Sequence, residues 1–310
     1  MFTIYKTNGA ILNTLNEPVQ NSWINVVNPS PDEITQLQEM LNVPQDFITY
    51  PLDQNEMPRV EKENGAMLIV LRVPCFQGAG ADVPYITIPL GIILTDRYIV
   101  TVCSVETNTI QSIIAGRVRG LSTGKRNRFI LQILWTMANR FLSDLREINK
   151  VVDVLEDRLQ HSLQNRELLE LLKCQKSLTY FTTALKSNEV LLHYLQRSQL
   201  FQQYPDDQEL LDDVITEVQQ AIEMTSIASA ILSQMMDAFA GIISNNLNVV
   251  MKVLASLTIV LSFPTMIASF YGMNVDLPLQ DDPMAFVFTV ALSAVVCTIA
   301  LFLLWRKRWL

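Results

Sequence analysis

The chain has 310 residues, a formal net charge of −8 and a charged fraction of 17%. An acidic balance of this kind excludes a general nucleic-acid role, and we expect no nucleic-acid partner. The four cysteines are isolated and only two histidines are present, so no zinc site of ordinary spacing can be drawn from them. The first residues hold no basic segment followed by an apolar run, and we expect no signal peptide.

Residues 1–128 mix proline and glycine with short β-rich runs, which predicts an α/β domain. Strands are predicted over residues 66–73, 85–88, 90–94 and 98–102, the last two forming a hairpin around Thr95-Asp96-Arg97. Short helices are predicted over residues 31–41, with Ser30 as the cap, and over residues 105–114.

A basic, glycine-containing linker follows at residues 117–128. Its segment from Gly120 to Arg126 superficially resembles a phosphate-binding loop. The spacing is one residue short, and Arg126 occupies the position of the Mg²⁺-binding serine or threonine. We therefore reject the phosphate-loop interpretation and favour a solvated basic turn.

Residues 129–248 are predicted to form a helical stalk. A first apolar stripe begins at Phe129, a second helix is expected over residues 165–198, and Tyr204-Pro205-Asp206 breaks the chain before a third. Apolar residues recur at close to heptad spacing in the third helix, which we expect to run from Asp206 to Tyr271 over about 100 Å. Such a length indicates packing against other copies of the chain.

Two uncharged stretches near the C-terminus, residues 253–275 and 284–305, are each long enough to cross a bilayer. They predict a helical hairpin in a membrane. Arg306-Lys307-Arg308 follows the second stretch, whereas the connecting loop carries only acidic charges. The positive-inside rule then places both termini in the cytoplasm, as expected for a multi-pass protein of the inner or plasma membrane.

One face of the first predicted span is small and polar. A line of residues at heptad spacing begins at Asn248, and Met251 and Leu254 at its cytosolic end could form an apolar gate. Ordinary helix packing explains such a stripe, because small residues allow close approach. We favour a water-filled pore, because the stripe runs the length of the span and leads to Asn274. The predicted pore-lining residues are Asn248, Met251, Leu254, Thr258, Ser262, Thr265 and Ser269.

The sequence Tyr271-Gly272-Met273-Asn274 ends the first span and precedes a short loop, a last span and a basic tail. In this context the chain resembles the CorA family of magnesium channels, most closely over residues 237–310. The segment from Asn248 to Leu254 is also similar to that family's pore entry. The resemblance implies a homopentamer with a cytosolic α/β domain, a funnel of long helices and a pore lined by the first membrane helix. The implied segments, in chain order, are a cytosolic α/β domain (1–128), a helical funnel (129–248), a pore-lining membrane helix (249–271), an external loop with the Gly-Met-Asn motif (272–283), a second membrane helix (284–305) and a basic cytosolic tail (306–310).

The resemblance also implies roles for individual residues. Gly272, Met273 and Asn274 would form the outer selectivity site, and Asp213 and Asp237 would bind regulatory Mg²⁺ between subunits. The N-terminal partner of that regulatory site is left unassigned. The family often has an acidic residue directly after the motif, but Val275 stands there in this chain. Attraction of cations would then depend partly on the acidic residues of the loop, which are Asp276, Asp281 and Asp282.

Neutral oxygen ligands suit a channel for Mg²⁺, because this ion gives up its water reluctantly and a ring of charges would trap it. We therefore expect conduction of hydrated Mg²⁺. With the regulatory site that the resemblance implies, we expect gating by cytosolic Mg²⁺, and the expected partners are membrane lipid, divalent cations and other copies of the chain. We expect neither an organic cofactor nor enzymatic activity. A Zn²⁺, Co²⁺ or Ni²⁺ transporter of the same fold is one alternative, and a membrane-anchored helical scaffold without an ion path is another.

Overall fold

The computed structural model describes residues 2–9, 11–161, 165–198, 200–201, 204–274, 283–307 and 309. By its internal contacts the chain divides into unit 1, Met1–Met235, and unit 2, Met236–Leu310. Unit 1 contains a β-sheet and most of the helices. Unit 2 contains the end of one long helix and the whole of the last one.

Unit 1 is built on a seven-stranded sheet with the strand order β2-β1-β3-β7-β6-β5-β4. Strands β3 and β7 are parallel and every other neighbouring pair is antiparallel. The strands are β1 (Phe2–Asn8), β2 (Ile11–Leu15), β3 (Ser22–Val27), β4 (Arg59–Glu63), β5 (Ala66–Phe76), β6 (Tyr85–Leu94) and β7 (Tyr98–Cys103). The central strands are buried along most of their length, which requires a helical layer on each face.

One face of the sheet is covered by α1 (Pro31–Leu41) and α2 (Gln45–Thr49). Leu37 and Phe47 from these helices share a buried core with strand residues such as Ile24 and Val100. The predicted Ser30 cap is present as a full capping box, because Ser30 accepts from the Glu33 backbone N–H and Glu33 accepts from that of Ser30. Two of the helix's unpaired N–H groups are satisfied in this way.

The opposite face is covered by α3 (Asn108–Ile114), α4 (Arg126–His161) and α5 (Asn165–Arg197). Trp23 of β3 packs against Phe129 of α4 with ring centroids 5.2 Å apart. Phe141 of α4 meets Phe181 of α5 edge-on at 5.0 Å. The helix predicted over residues 105–114 begins later than expected, because Thr107 is the N-cap and accepts from the Ile110 backbone N–H.

The region predicted as two strands, 85–88 and 90–94, forms the single strand β6, which continues through Pro89. Pro89 lies opposite Arg72 of β5, whose backbone N–H and C=O are both hydrogen-bonded to the Asn188 side chain of α5. The β5 strand therefore needs no donor from Pro89. The ladder to β7 begins one residue later, at Leu90, so the missing N–H of proline breaks no bond on that side either.

Two long apolar helices complete the chain: α6 (Pro205–Tyr271) and α7 (Ala285–Arg306). Both contain a window apolar enough to cross a membrane, and almost none of either window is buried. The predicted continuous third helix is thus present, and it begins at Pro205. Proline is favoured in a first turn because its missing N–H would be unpaired there anyway. Pro264 lies inside α6 without ending it.

Candidate ion pathway

Within unit 2, the last turns of α6 pack against α7 through one face of each helix. The Cys297 thiol of α7 lies 3.5 Å from the backbone oxygen of Val260 on α6. On α6, Ser256, Val260, Phe263 and Ile267 are buried or half-buried. On α7, the matching residues are Ala285, Thr289, Ser293, Val296, Cys297, Ala300 and Leu304.

The predicted polar stripe lies on the other side of α6. With 3.6 residues per turn, its mean direction is about 180° around the helix axis from the face that packs on α7. All seven predicted pore-lining residues are exposed: Asn248, Met251, Leu254, Thr258, Ser262, Thr265 and Ser269. The single chain therefore brings them together on one face and leaves that face uncovered.

Three hydroxyl groups of the stripe share one geometry. Thr258, Ser262 and Thr265 donate to the backbone oxygens four residues earlier, at 2.9, 2.7 and 3.0 Å. Each hydroxyl hydrogen is used inside the helix, which leaves the oxygen lone pairs facing outward as acceptors. Such a surface presents partial negative charge, which is suited to the hydration shell of a cation.

The Gly272-Met273-Asn274 motif directly follows the C-terminal end of α6. The Gly272 N–H donates to the Ala268 oxygen at 3.0 Å, and the Met273 N–H donates to the Phe270 oxygen at 3.2 Å. A Cβ atom at position 272 would stand 3.3 Å from the Ala268 oxygen, so glycine relieves crowding at this end. The exposed Asn274 follows at the negative end of the helix dipole, where cations are favoured.

The acidic residues at the start of α6 differ in their partners. Asp207 is buried, and its carboxylate lies 3.5 Å from Arg128. Asp212 accepts a hydrogen bond of 2.7 Å from Gln196 of α5. Asp213 is exposed and makes no ion pair with any residue that the structure describes. Of the three, Asp213 is thus the one whose side chain is available to a further ligand.

The remaining predicted metal residues are not gathered within one chain. Asp237 is exposed on α6. Over the described ranges, no cluster of three or more histidine, cysteine, aspartate or glutamate side chains could hold a metal ion. The loop residues Asp276, Asp281 and Asp282 lie outside the described residues.

The sequence interpretation did not identify the face of α7 that packs on α6. Small residues recur there at every fourth position, at Ala285, Thr289, Ser293 and Cys297. This spacing is typical of close helix packing in membranes and could have revealed the face. The small residues of unit 2 therefore have two roles: those of α7 pack against α6, whereas those of the α6 stripe remain uncovered.

An α/β unit, a long helix, an apolar helical hairpin and a polar stripe ending at an asparagine together define a membrane protein of the metal-ion transporter type. The sequence matches the family described as CorA-like Mg²⁺ transporter protein over residues 19–308, and the chain belongs to that family. It is 26% identical over 298 residues to the cobalt/magnesium transport protein CorA of Methanocaldococcus jannaschii, covering 93% of this chain and 91% of the relative.

Solved structures share the same fold. The complete structure of the CorA magnesium transporter from Methanocaldococcus jannaschii has a TM-score of 0.85 at 24% identity, over 100% of this chain and 99% of that one. The full-length CmaX protein has a TM-score of 0.72 at 16% identity, over 100% of this chain and 98% of that one. The predicted fold class is thereby confirmed: an α/β unit, a long helix and two apolar C-terminal helices.

Proposed function

We propose that this chain is a Mg²⁺ channel whose central pore is lined by α6 from several copies, most simply five. The family to which it belongs is one of Mg²⁺ transporters, and the relative from Methanocaldococcus jannaschii is named for cobalt and magnesium. The observation that carries the proposal is the position of the polar stripe. It faces away from α7 and is uncovered in the single chain.

The cost of exposing polar groups to hydrocarbon favours other copies of the chain, together with water, as the neighbours of the stripe. Hydroxyl and amide groups facing hydrocarbon carry a cost, so a polar face inside a membrane turns toward protein or a water-filled space. Because α7 already occupies the opposite face, further copies of α6 are the simplest neighbours. A ring of such helices would place the hydroxyl oxygens and Asn274 around one axis.

Selectivity in this proposal rests on the end of α6. The side-chain oxygens of Asn274 from each copy would accept hydrogen bonds from the water around Mg²⁺. Gly272, which has no side chain, would allow the backbone at the end of α6 to approach these oxygens closely. Asp276, Asp281 and Asp282 would raise the local cation concentration outside. Met251 and Leu254 would form an apolar constriction on the cytosolic side, where both termini would lie.

Regulation is the second part of the proposal. Asp213, which has no partner among the described residues, and the exposed Asp237 would bind cytosolic Mg²⁺ between neighbouring subunits. Binding would relieve the repulsion between acidic side chains of adjacent copies and favour the closed state. Loss of Mg²⁺ would then favour opening, since a ligand shifts an equilibrium only through its different affinity for the two states.

The test is Mg²⁺ uptake into proteoliposomes that contain the purified full-length chain, with Co²⁺, Ni²⁺ and Zn²⁺ as competitors. Asn274→Ala should leave the oligomer inserted and reduce Mg²⁺ uptake to near the level of empty vesicles. Thr298→Val is the matched control. Thr298 is an exposed α7 residue, and its hydroxyl donates a hydrogen bond to the Ala294 oxygen, just as the stripe hydroxyls donate to backbone oxygens four residues earlier. Normal uptake by Asn274→Ala would remove Asn274 from the selectivity site.

The same assay separates the alternatives. Preference for Zn²⁺, Co²⁺ or Ni²⁺ over Mg²⁺ would favour the transporter of another ion. No uptake of any divalent cation by a correctly inserted oligomer would favour the scaffold. Under the channel proposal, neither enzymatic activity nor an organic cofactor is needed.

A further inference from the structure

A cavity of about 520 Å³ lies within unit 1, away from the proposed pore residues. Its walls come from α3, the connection between α3 and α4, the first turns of α4 and the start of α6. In sequence order, the first lining residue is Ser112 and the last is Leu210. The volume falls in the range of sites that bind small organic molecules.

The wall of this cavity is strongly basic. Arg117, Arg119 and Arg128 line it. The segment 117–128 contains five basic residues and no acidic one, although the whole chain has a net charge of −8. Arg117 and Arg119 are exposed and form no ion pair within the part of the chain that the structure describes. Two unpaired guanidinium groups at one cavity favour an anion, and guanidinium matches the geometry of phosphate.

Two neighbouring features add to the positive potential. The first turn of α4 carries no acidic residue, so its own side chains do not cancel the positive end of the helix dipole. Arg128 is partly neutralised, since its guanidinium lies 3.5 Å from Asp207 and 3.7 Å from Asp206. Arg117 and Arg119 therefore carry most of the charge that a ligand would meet.

The cavity also has a flat aromatic wall. Trp135 lines it and is half-buried. Gln132 is only 6% exposed, and its Nε2 donates to the Arg119 oxygen at 3.2 Å, which ties the backbone of Arg119 to α4. Inorganic phosphate has no flat ring, so Trp135 points to a ligand that carries a ring beside its phosphates.

We propose that this cavity binds a nucleoside polyphosphate. The phosphates would lie against Arg117 and Arg119, and the base would stack on Trp135. The rejected phosphate loop plays no part, because Lys125 and the glycines beside it do not line this cavity. Binding does not depend on ion conduction, so a failure of this proposal leaves the channel proposal untouched.

The first experiment measures binding of ATP, without added metal, to the full-length chain in detergent by isothermal titration calorimetry. Arg117→Ala combined with Arg119→Ala should weaken ATP binding more than tenfold, and added salt should weaken binding to the unaltered chain. Arg146→Ala is the matched control, because Arg146 is an exposed α4 arginine that does not line the cavity, and its affinity should stay within twofold. Absence of ATP binding at millimolar concentration, or equal affinity in the double variant, would overturn the proposal.

The second experiment tests the class of ligand by comparing ATP with tripolyphosphate. ATP should quench a part of the tryptophan emission that is missing in Trp135→Phe, and tripolyphosphate should not quench it. Trp135→Leu should weaken ATP binding several-fold and leave tripolyphosphate binding unchanged. If Trp135→Leu affects both ligands equally, or neither of them, the base does not lie on Trp135 and the nucleotide assignment is wrong.

Discussion

The two units of this chain differ in how far they bury their apolar side chains. In unit 1 the large apolar residues are enclosed by the chain itself, as with Trp23 and Phe181, and buried polar groups such as Asn188 have partners. In unit 2 almost no residue of α7 or of the apolar window of α6 is buried. Unit 1 is therefore stabilised from within, whereas unit 2 leaves a large apolar surface exposed, as is typical of segments that meet a membrane or a partner.

The largest expected effect is a loss of stability in unit 1, and it is tested by replacing one tryptophan in each unit. Trp23 is fully buried, donates to the Thr101 hydroxyl at 2.9 Å and packs on Phe129, so Trp23→Ala should lower the unfolding free energy of unit 1 by about 3–5 kcal/mol. Trp305 on α7 is 68% exposed, so Trp305→Ala should leave unit 1 unchanged. Hydrogen–deuterium exchange of the β3 and β7 peptides measures both variants in the full-length chain. Equal exchange in the two would contradict a self-contained core.

A second prediction concerns a buried charge in unit 1. Asp144 is 2% exposed, and burial raises its pKa from 3.8 to about 6 despite the ion pair with Arg140, while Glu147 adds to the rise. Because the folded chain holds this proton more tightly than the unfolded chain, the contribution to stability is greatest below about pH 4. It falls as pH rises to about 6 and stays low above that, a change of about 2–3 kcal/mol.

The measurement is the unfolding midpoint of unit 1 between pH 4 and pH 7. Asp144→Asn should remove most of this decline, since the amide mimics the neutral acid. Asp153→Asn, an exposed substitution on the same helix, should retain it. A decline of the same size in Asp144→Asn would show that other groups cause it.

In unit 2 the corresponding comparison lies between the two sides of α6. Met251 and Val253 are both exposed, but only Met251 belongs to the polar stripe. Met251→Ser should hydrate the proposed constriction and raise basal Mg²⁺ uptake several-fold, whereas Val253→Ser should not. If both variants behave like the unaltered chain at equal expression, the residues at this level of α6 contribute to packing and not to a gate.

The smallest expected effect concerns the start of α6. Asp213→Ala should raise the cytosolic Mg²⁺ concentration needed for inhibition by about fivefold, at the low end of typical coupling free energies. Asp212→Ala is the matched control, because Asp212 is already engaged by Gln196. Ion selectivity should be the same in both variants. An unchanged inhibition curve for Asp213→Ala would exclude this residue from regulation.

Much of the fold was predictable because local patterns were strong. The Ser30 cap, the hairpin at Thr95, and the long proline-poor helices all follow from residue chemistry within a few turns. The division of β6 at Pro89 was wrong, because the compensating contact comes from Asn188, which is remote in sequence. The late start of α3 followed the cap at Thr107, which the apolar pattern alone did not reveal.

For the proposed ion pathway, the sequence by itself determined which residues share a face, because helical periodicity fixes the direction of each side chain along α6. It could not decide whether that face packs on a neighbour in the same chain. Only the tertiary structure showed that α7 contacts the opposite face, leaving the line from Asn248 to Ser269 uncovered. The physical reason is that burial depends on which surfaces meet, and contacts between distant segments are not encoded in the periodicity of either one.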